Sequence, residues 1–272
     1  MVEPSVSARY IEKAARIVEA ADQKGVPLRL MGCIAVKMHS QKWSEFHENA
    51  MKRYATDVDL MTLSKSRGKV GEILSGLGYA PVRTTVPQED RVIFVDSEGM
   101  HVDVFFDRLS MCHVIDFRDR LEVDSPTISL SDILLEKVQI VQINEKDIKD
   151  VIVLLREHDV GNEEKETING DYIAKLLAKD WGFCYTATTN LRLIRDRLLE
   201  EGYTSILRDE DVNDVRVKID KLLEMIENEP KSLAWKMRAR TGTKKKWYQD
   251  VEEVQLRGDF EKELEKLLKG EQ

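Results

Sequence analysis

Arg53-Tyr54-Ala55-Thr56-Asp57-Val58-Asp59-Leu60-Met61-Thr62-Leu63 alternates polar and apolar side chains from Thr56 onward, the pattern of a strand buried on one side. On a strand, residues two apart point to the same face, about 6.8 Å apart along the chain. Asp57 and Asp59 therefore project together, while Val58 and Leu60 face a core. Two neighbouring carboxylates repel, and the pair is stable mainly when something positive sits between them. A divalent metal with oxygen ligands meets that need, and Mg²⁺ suits carboxylate pairs that share it with substrate phosphates. The plain alternative is an exposed polar strand face.

Working outward, His101-Val102-Asp103-Val104-Phe105-Phe106 is a second apolar strand with one carboxylate in it. Asp103 shares its face with His101 and Phe105. Burying an unpaired carboxylate costs several kcal/mol, so such a residue needs a partner. If this strand lies beside the Asp57 strand, three acids converge. Upstream, Val26 to Met31 reads as a short strand, followed at once by Gly32 and a helix over Ile34 to Ser40. Strand, glycine and helix together present backbone N–H groups and a helix N-terminus to an anion such as a triphosphate.

The remaining pattern sets the organisation. Ile11, Ala14, Val18 and Ala21 predict an opening helix from Ser7 to Lys24, ended by Gly25. Gln41 to Arg53 is polar and reads as an irregular insertion. Ser64 is a candidate cap for a helix running to Ser75. Arg91 to Val95 and Met100 to Phe106 form a hairpin around Asp96-Ser97-Glu98-Gly99. From Ser129 the period becomes helical, and Asp159 to Thr167 is the best boundary. Helices over Asn190–Glu201 and Asp209–Glu227 follow. The expectation is an α/β (α+β) domain with a small mixed sheet over residues 1–158, then an all-helical domain over 159–272.

The 272 residues are 42% apolar, which supplies a sizeable core, and 34% charged, with a net charge of -8 that excludes a uniformly basic nucleic-acid coat. Apolar runs such as Val151–Leu155 are far too short to span a bilayer. Met1 to Ser5 lack the basic start of a secretory signal. Three scattered cysteines (Cys33, Cys112, Cys184) speak against a disulfide framework or a zinc site. The expectation is a soluble cytoplasmic protein without a membrane partner.

Leu30-Met31-Gly32-Cys33-Ile34-Ala35-Val36, Arg53 to Leu60 and Val102-Asp103-Val104-Phe105 resemble the nucleotidyltransferase superfamily of the DNA polymerase β type. The nearest branch is the small bacterial and archaeal one that includes antibiotic and toxin-type nucleotidyltransferases. Leu134 to Gln139 and Asn144 to Asp150 look like that branch's helices after the third acid. The resemblance covers about residues 8–158. It implies transfer of a nucleoside monophosphate from a triphosphate to a hydroxyl or phosphate acceptor, a small molecule or RNA, with release of pyrophosphate. It implies Asp57, Asp59 and Asp103 as catalytic residues and ligands of Mg²⁺ (or Mn²⁺), with Asp103 drawing the proton from the attacking hydroxyl. Gly32 and Cys33 would form the phosphate turn. The chain departs from the family in having Cys33 where Gly or Ser is usual, and in the longer Gly32–Asp57 interval.

Two further residues are candidates for the triphosphate. Arg53 either reaches it or pairs with Asp57, and Lys137 either approaches it or is a solvated helix lysine. Asp147 and Asp150, three apart, either orient Lys137 or are surface charge. Trp181-Gly182-Phe183-Cys184-Tyr185 reads as an aromatic anchor for the helical half. Between Lys231 and Tyr248 stand Lys231, Lys236, Arg238, Arg240, Lys244, Lys245 and Lys246 with no acid and with Trp235 and Trp247 interleaved, a composition suited to RNA; the plain alternative is a solvated helix face or a mate for acidic residues on the other domain. The rival reading is thus a non-catalytic module of the same fold that binds RNA or a protein through this segment.

Overall fold

In the computed structural model, residues 6–82 and 90–251 are described. The Met1–Ser5 reading and the last part of the expected helical domain, 252–272, lie outside them. The chain opens with α1 (Val6–Asp22), β1 (Arg29–Met31), α2 (Gly32–His39), α3 (Ser44–Asn49), β2 (Val58–Thr62), α4 (Arg67–Gly76), β3 (Ala80–Pro81), β4 (Arg91–Val95) and β5 (His101–Phe106). A small hairpin, β6 (Arg108–Ser110) and β7 (Val114–Asp116), precedes α5 (Leu130–Val138) and α6 (Glu145–Glu157). Then come β8 (Asp159–Gly161), β9 (Thr167–Asn169), α7 (Gly170–Leu177), α8 (Trp181–Arg197), α9 (Glu201–Thr204), α10 (Asp209–Asn228) and α11 (Leu233–Thr241).

The main sheet has the order β1-β2-β5-β4-β3, with β2 and β5 parallel and the other neighbours antiparallel. This is the mixed α/β architecture, with helices after it, that the sequence pattern predicts. One sheet face carries Val58, Leu60, Val102, Val104 and Phe106 into a core with Ala14, Ile17 and Val18 of α1 and Leu74 of α4. The opposite face carries Met31 and Met61 into a second core. That core runs continuously through α5 and α6 to Leu177, Phe183 and Ile226, so it crosses residue 158.

One crossing positions the site. Residues 126–128 run beside β1, with the Leu30 N–H donating to the Pro126 carbonyl and the Ile128 N–H to the Leu30 carbonyl, both at 2.9 Å. Ser129 then caps α5 by accepting from the Asp132 N–H. The start of α5 is thereby fixed against the strand that ends in Gly32.

Four local expectations are corrected. Gln41 to Arg53 is not irregular: it holds a 3-10 turn and α3, whose His47 and Glu48 are buried against other charges. Ser64 does not cap a helix; it lies in a 3-10 turn, and α4 starts at Arg67 after Ser66, which makes no side-chain cap bond. The half expected to be all-helical, 159–272, opens instead on two short strands, β8 and β9, which pair in parallel. The helix expected from Asn190 begins at Trp181, where Asp180 accepts from the Phe183 N–H. No helix among the described residues is long and apolar enough to cross a membrane.

Candidate functional site

The parallel register of β2 and β5 sets Asp59 directly beside Asp103, and the antiparallel register of β1 and β2 sets Met31 beside Asp59. Cross-strand partners share a face. Asp59 and Asp103 therefore project together, with Asp57 immediately before β2. Asp103 is 9% exposed, and its Oδ1 is buried without a hydrogen-bond partner. Its other oxygen accepts from Arg91 Nη2 at 2.6 Å. Arg91 stands opposite Phe105 on β4, two residues along from Asp103 on the same face, and its guanidinium sits 5.2 Å from the Phe105 ring centroid.

The electrostatics are those of crowded carboxylates. Burial pushes the Asp59 carboxyl well above the usual range, and Asp57, Asp103 and Glu136 push it further. Asp103 is raised as well, by burial, with Arg91 opposing. A positive group near Asp59 would relieve both effects. Oxygen-only donors with an orphaned carboxylate oxygen fit a hard divalent ion. Among the described residues, however, no three such side chains already stand together as a cage. Arg91 holds one arm of Asp103 in the place where a cation's charge is called for.

Gly32 opens α2 at φ +67, and a Cβ added there would overlap Asp59 Oδ2 and lie 3.3 Å from its Cγ. The turn thus needs glycine twice over, for its left-handed backbone and for the close approach of the carboxylate. The Gly32 N–H donates to Glu136 Oε2 at 3.1 Å. Cys33 is buried, and burial pushes its thiol up to about 12, so it is no thiolate at neutral pH.

Behind the turn lies a buried ion network. Arg53 makes a two-pronged bond to Asp150, Nε to Oδ1 and Nη2 to Oδ2, both 2.9 Å, and donates from Nη1 to the Tyr54 carbonyl at 2.7 Å. Lys137 Nζ lies 3.2 Å from Asp150, 3.3 Å from Asp147 and 3.6 Å from Glu136. His47 Nε2 lies 3.1 Å from Asp150 Oδ1. Burial alone would raise the Asp150 carboxyl, yet Lys137, His47 and Arg53 hold it well below the usual range. Lys137 stays charged although burial opposes it, because Glu136, Asp150 and Asp147 surround it.

Several expectations change accordingly. Arg53 pairs with Asp150 and not with Asp57. Lys137 is 6% exposed, so it is not a solvated lysine, and Asp150, fully buried, is not surface charge. Arg91 and Glu136 are the residues that the sequence reading passed over. Counting back across the Asp96–Gly99 hairpin would have set Ile93 against Asp103 and Arg91 on the acid face. Glu136 follows Ile133 by three on a buried helix face, which marks it as a buried acid.

In the helical half, the aromatic anchor joins the hairpin tip and the basic segment to α8. His113 stacks on Phe183 at 4.9 Å, and its Nε2 lies 2.8 Å from Thr186 Oγ1. Trp247 Nε1 donates to that same hydroxyl at 3.1 Å. Arg238 lies over the Trp181 ring at 4.6 Å. Of the seven basic residues, Lys231, Arg238 and Lys246 bond within the segment and its neighbours, to Ile226 and Glu229, to Gly242 and Lys245, and to Asp250. Lys236, Arg240, Lys244 and Lys245 are exposed.

No family model matches the chain, and no curated protein matches its sequence. Solved structures similar to it include two of ANT(2'')-Ia. One is the solution structure of the antibiotic-resistance factor ANT(2'')-Ia, at 15% identity and a TM-score of 0.41, covering 63% of this chain and 95% of that one. The other is the crystal structure of ANT(2'')-Ia with adenylyl-2''-tobramycin, at 12% identity and a TM-score of 0.33, covering 78% of this chain and 98% of that one.

Proposed function

We propose that the chain is a nucleotidyltransferase, moving a nucleoside monophosphate from a nucleoside triphosphate to an acceptor hydroxyl with release of pyrophosphate. One observation carries the reading: Asp59 and Asp103 stand abreast on parallel neighbouring strands, with the Gly32 turn closed against Asp59. Asp57, Asp59 and Asp103 would hold Mg²⁺ or Mn²⁺. A bound divalent ion supplies neutralisation of charge on the transferred phosphate and the leaving pyrophosphate. Asp103 accepts the proton of the attacking hydroxyl. The backbone at Gly32 and Cys33 receives the donor phosphates, and Lys137 adds positive charge behind it. Arg53, whose donors are taken by Asp150 and Tyr54, keeps that lysine's surroundings in place. In this reading residues 1–158 are the catalytic domain and residues 159–272 close the acceptor side.

The test is pyrophosphate release and label transfer from each of the four nucleoside triphosphates with Mg²⁺, offered tobramycin, other hydroxylated small molecules, and RNA ends. Asp59→Asn should slow transfer by roughly 10³-fold or more, the several kcal/mol that charge stabilisation of this kind contributes. An Asp59→Asn protein with wild-type turnover would sink the reading.

The second reading, a non-catalytic module, draws on the exposed Lys236, Arg240, Lys244 and Lys245. It predicts that charge reversal at these four abolishes retention of RNA in a filter assay, while Asp59→Asn leaves it unchanged. RNA retention that survives the reversal removes it.

A further inference from the structure

Whatever takes the phosphates at the Gly32 turn meets a group already there. The first N–H of α2 is held by Glu136 Oε2 at 3.1 Å, across 104 residues of sequence. Met31, which precedes the helix, makes no side-chain cap bond, so Glu136 acts as the side-chain acceptor for this end. Glu136 is 9% exposed, and its other oxygen lies 3.6 Å from Lys137 Nζ. A helix N-terminus favours an anion, and in this protein the anion is a carboxylate of its own chain.

We propose that Glu136 occupies the anion position of the Gly32 turn in the resting protein and competes with the donor's phosphates for it, so that it sets how tightly the site takes a polyphosphate. The inference rests on the nucleotidyltransferase reading above. Two negative groups cannot share one N–H and one helix end without strong repulsion, which is largest where water is excluded. The competition is built to be reversible. Lys137 also has Asp147 at 3.3 Å and Asp150 at 3.2 Å, so two counter-charges remain to it when the carboxylate yields. Glu136 is a positioning residue and takes part in no bond-making step.

Inorganic tripolyphosphate is the probe, titrated calorimetrically into the full chain at pH 8 in EDTA. Glu136→Gln keeps an acceptor for the Gly32 N–H and removes the charge. It should bind tripolyphosphate at least about 10-fold tighter than wild type, equivalent to 1.4 kcal/mol. In turnover, KM for the nucleoside triphosphate should fall by more than kcat changes. Glu136→Asp, which keeps the charge but withdraws it by one methylene, should give a smaller gain and serves if the glutamine variant does not fold. Equal or weaker tripolyphosphate binding by the variants overturns the proposal, as does a kcat that collapses with them. If neither wild type nor variant binds, the turn is no anion site and the proposal fails, while wild-type transfer would leave the proposed function standing. Tighter binding in a chain that transfers nothing upholds the role of Glu136 and removes the transferase reading.

Discussion

Gly25 and Gly32 share a left-handed backbone, at φ +65 and +67, yet only Gly32 has a neighbour where a side chain would go. An alanine at Gly25 meets nothing within 4 Å, so it carries only the backbone cost of about 1 kcal/mol. Alanine at Gly32 carries the same cost and collides with Asp59 Oδ2 besides. Gly25→Ala should therefore lower the unfolding free energy by about 1 kcal/mol and leave nucleotidyl transfer intact. Gly32→Ala should abolish transfer, because the carboxylate that must give way belongs to the acid pair. Urea unfolding and turnover on both variants check this; equal activity in the two would mean that the Gly32–Asp59 contact has no part in the chemistry.

Within elements, α6 is fastened to the segment before β2 through one side chain. Asp150, fully buried, receives Arg53 from that segment, His47 from α3 and Lys137 from α5. Asp150→Asn would leave cations buried without their shared counter-charge, and breaking a buried pair in this way costs about 3–5 kcal/mol. Urea unfolding should show a loss of that size; a loss below 1 kcal/mol would show that water or other acids compensate. Asp147→Asn, on the more exposed side of Lys137, should cost less. The same network shows what the sequence could and could not disclose. The shared face of Asp59 and Asp103 was legible because strand alternation is a local property, whereas Asp57 falls just before β2. Gly32 was legible because the turn follows its strand directly. The partnership of Arg53 with Asp150 spans 97 residues, and that of Gly32 with Glu136 spans 104. No periodicity within either segment encodes such pairing. His47 and Glu48 sit in a polar stretch whose buried charges meet Asp150 of α6 and Lys37 of α2, far away in sequence or on another element, so the stretch looked like an insertion.

At the scale of the molecule, the helical half is tied to the β6–β7 hairpin by a contact that senses acid. His113, 5% exposed, stacks on Phe183 of α8 and faces Thr186, which also receives Trp247 from the basic segment. Burial lowers its imidazole from 6.5 to about 4. Between those values the unfolded chain binds a proton that the folded chain refuses. The stability that neutral His113 contributes is therefore complete above pH 6.5 and falls as the pH drops toward 4, by at most about 3 kcal/mol. His39 and His47, also lowered by burial, act in the same direction. Asp59, Asp103 and Glu136 act in the opposite one, since their raised carboxyls take up protons in the folded state first. The net slope of the wild type mixes both groups, so the informative quantity is the difference between two proteins. His113→Gln removes the titrating ring from the contact, and its urea midpoint should change less between pH 7 and pH 4.5 than that of wild type. Parallel slopes would mean that His113 is protonated without loss, and that the hairpin and the helical half are held together by apolar packing alone.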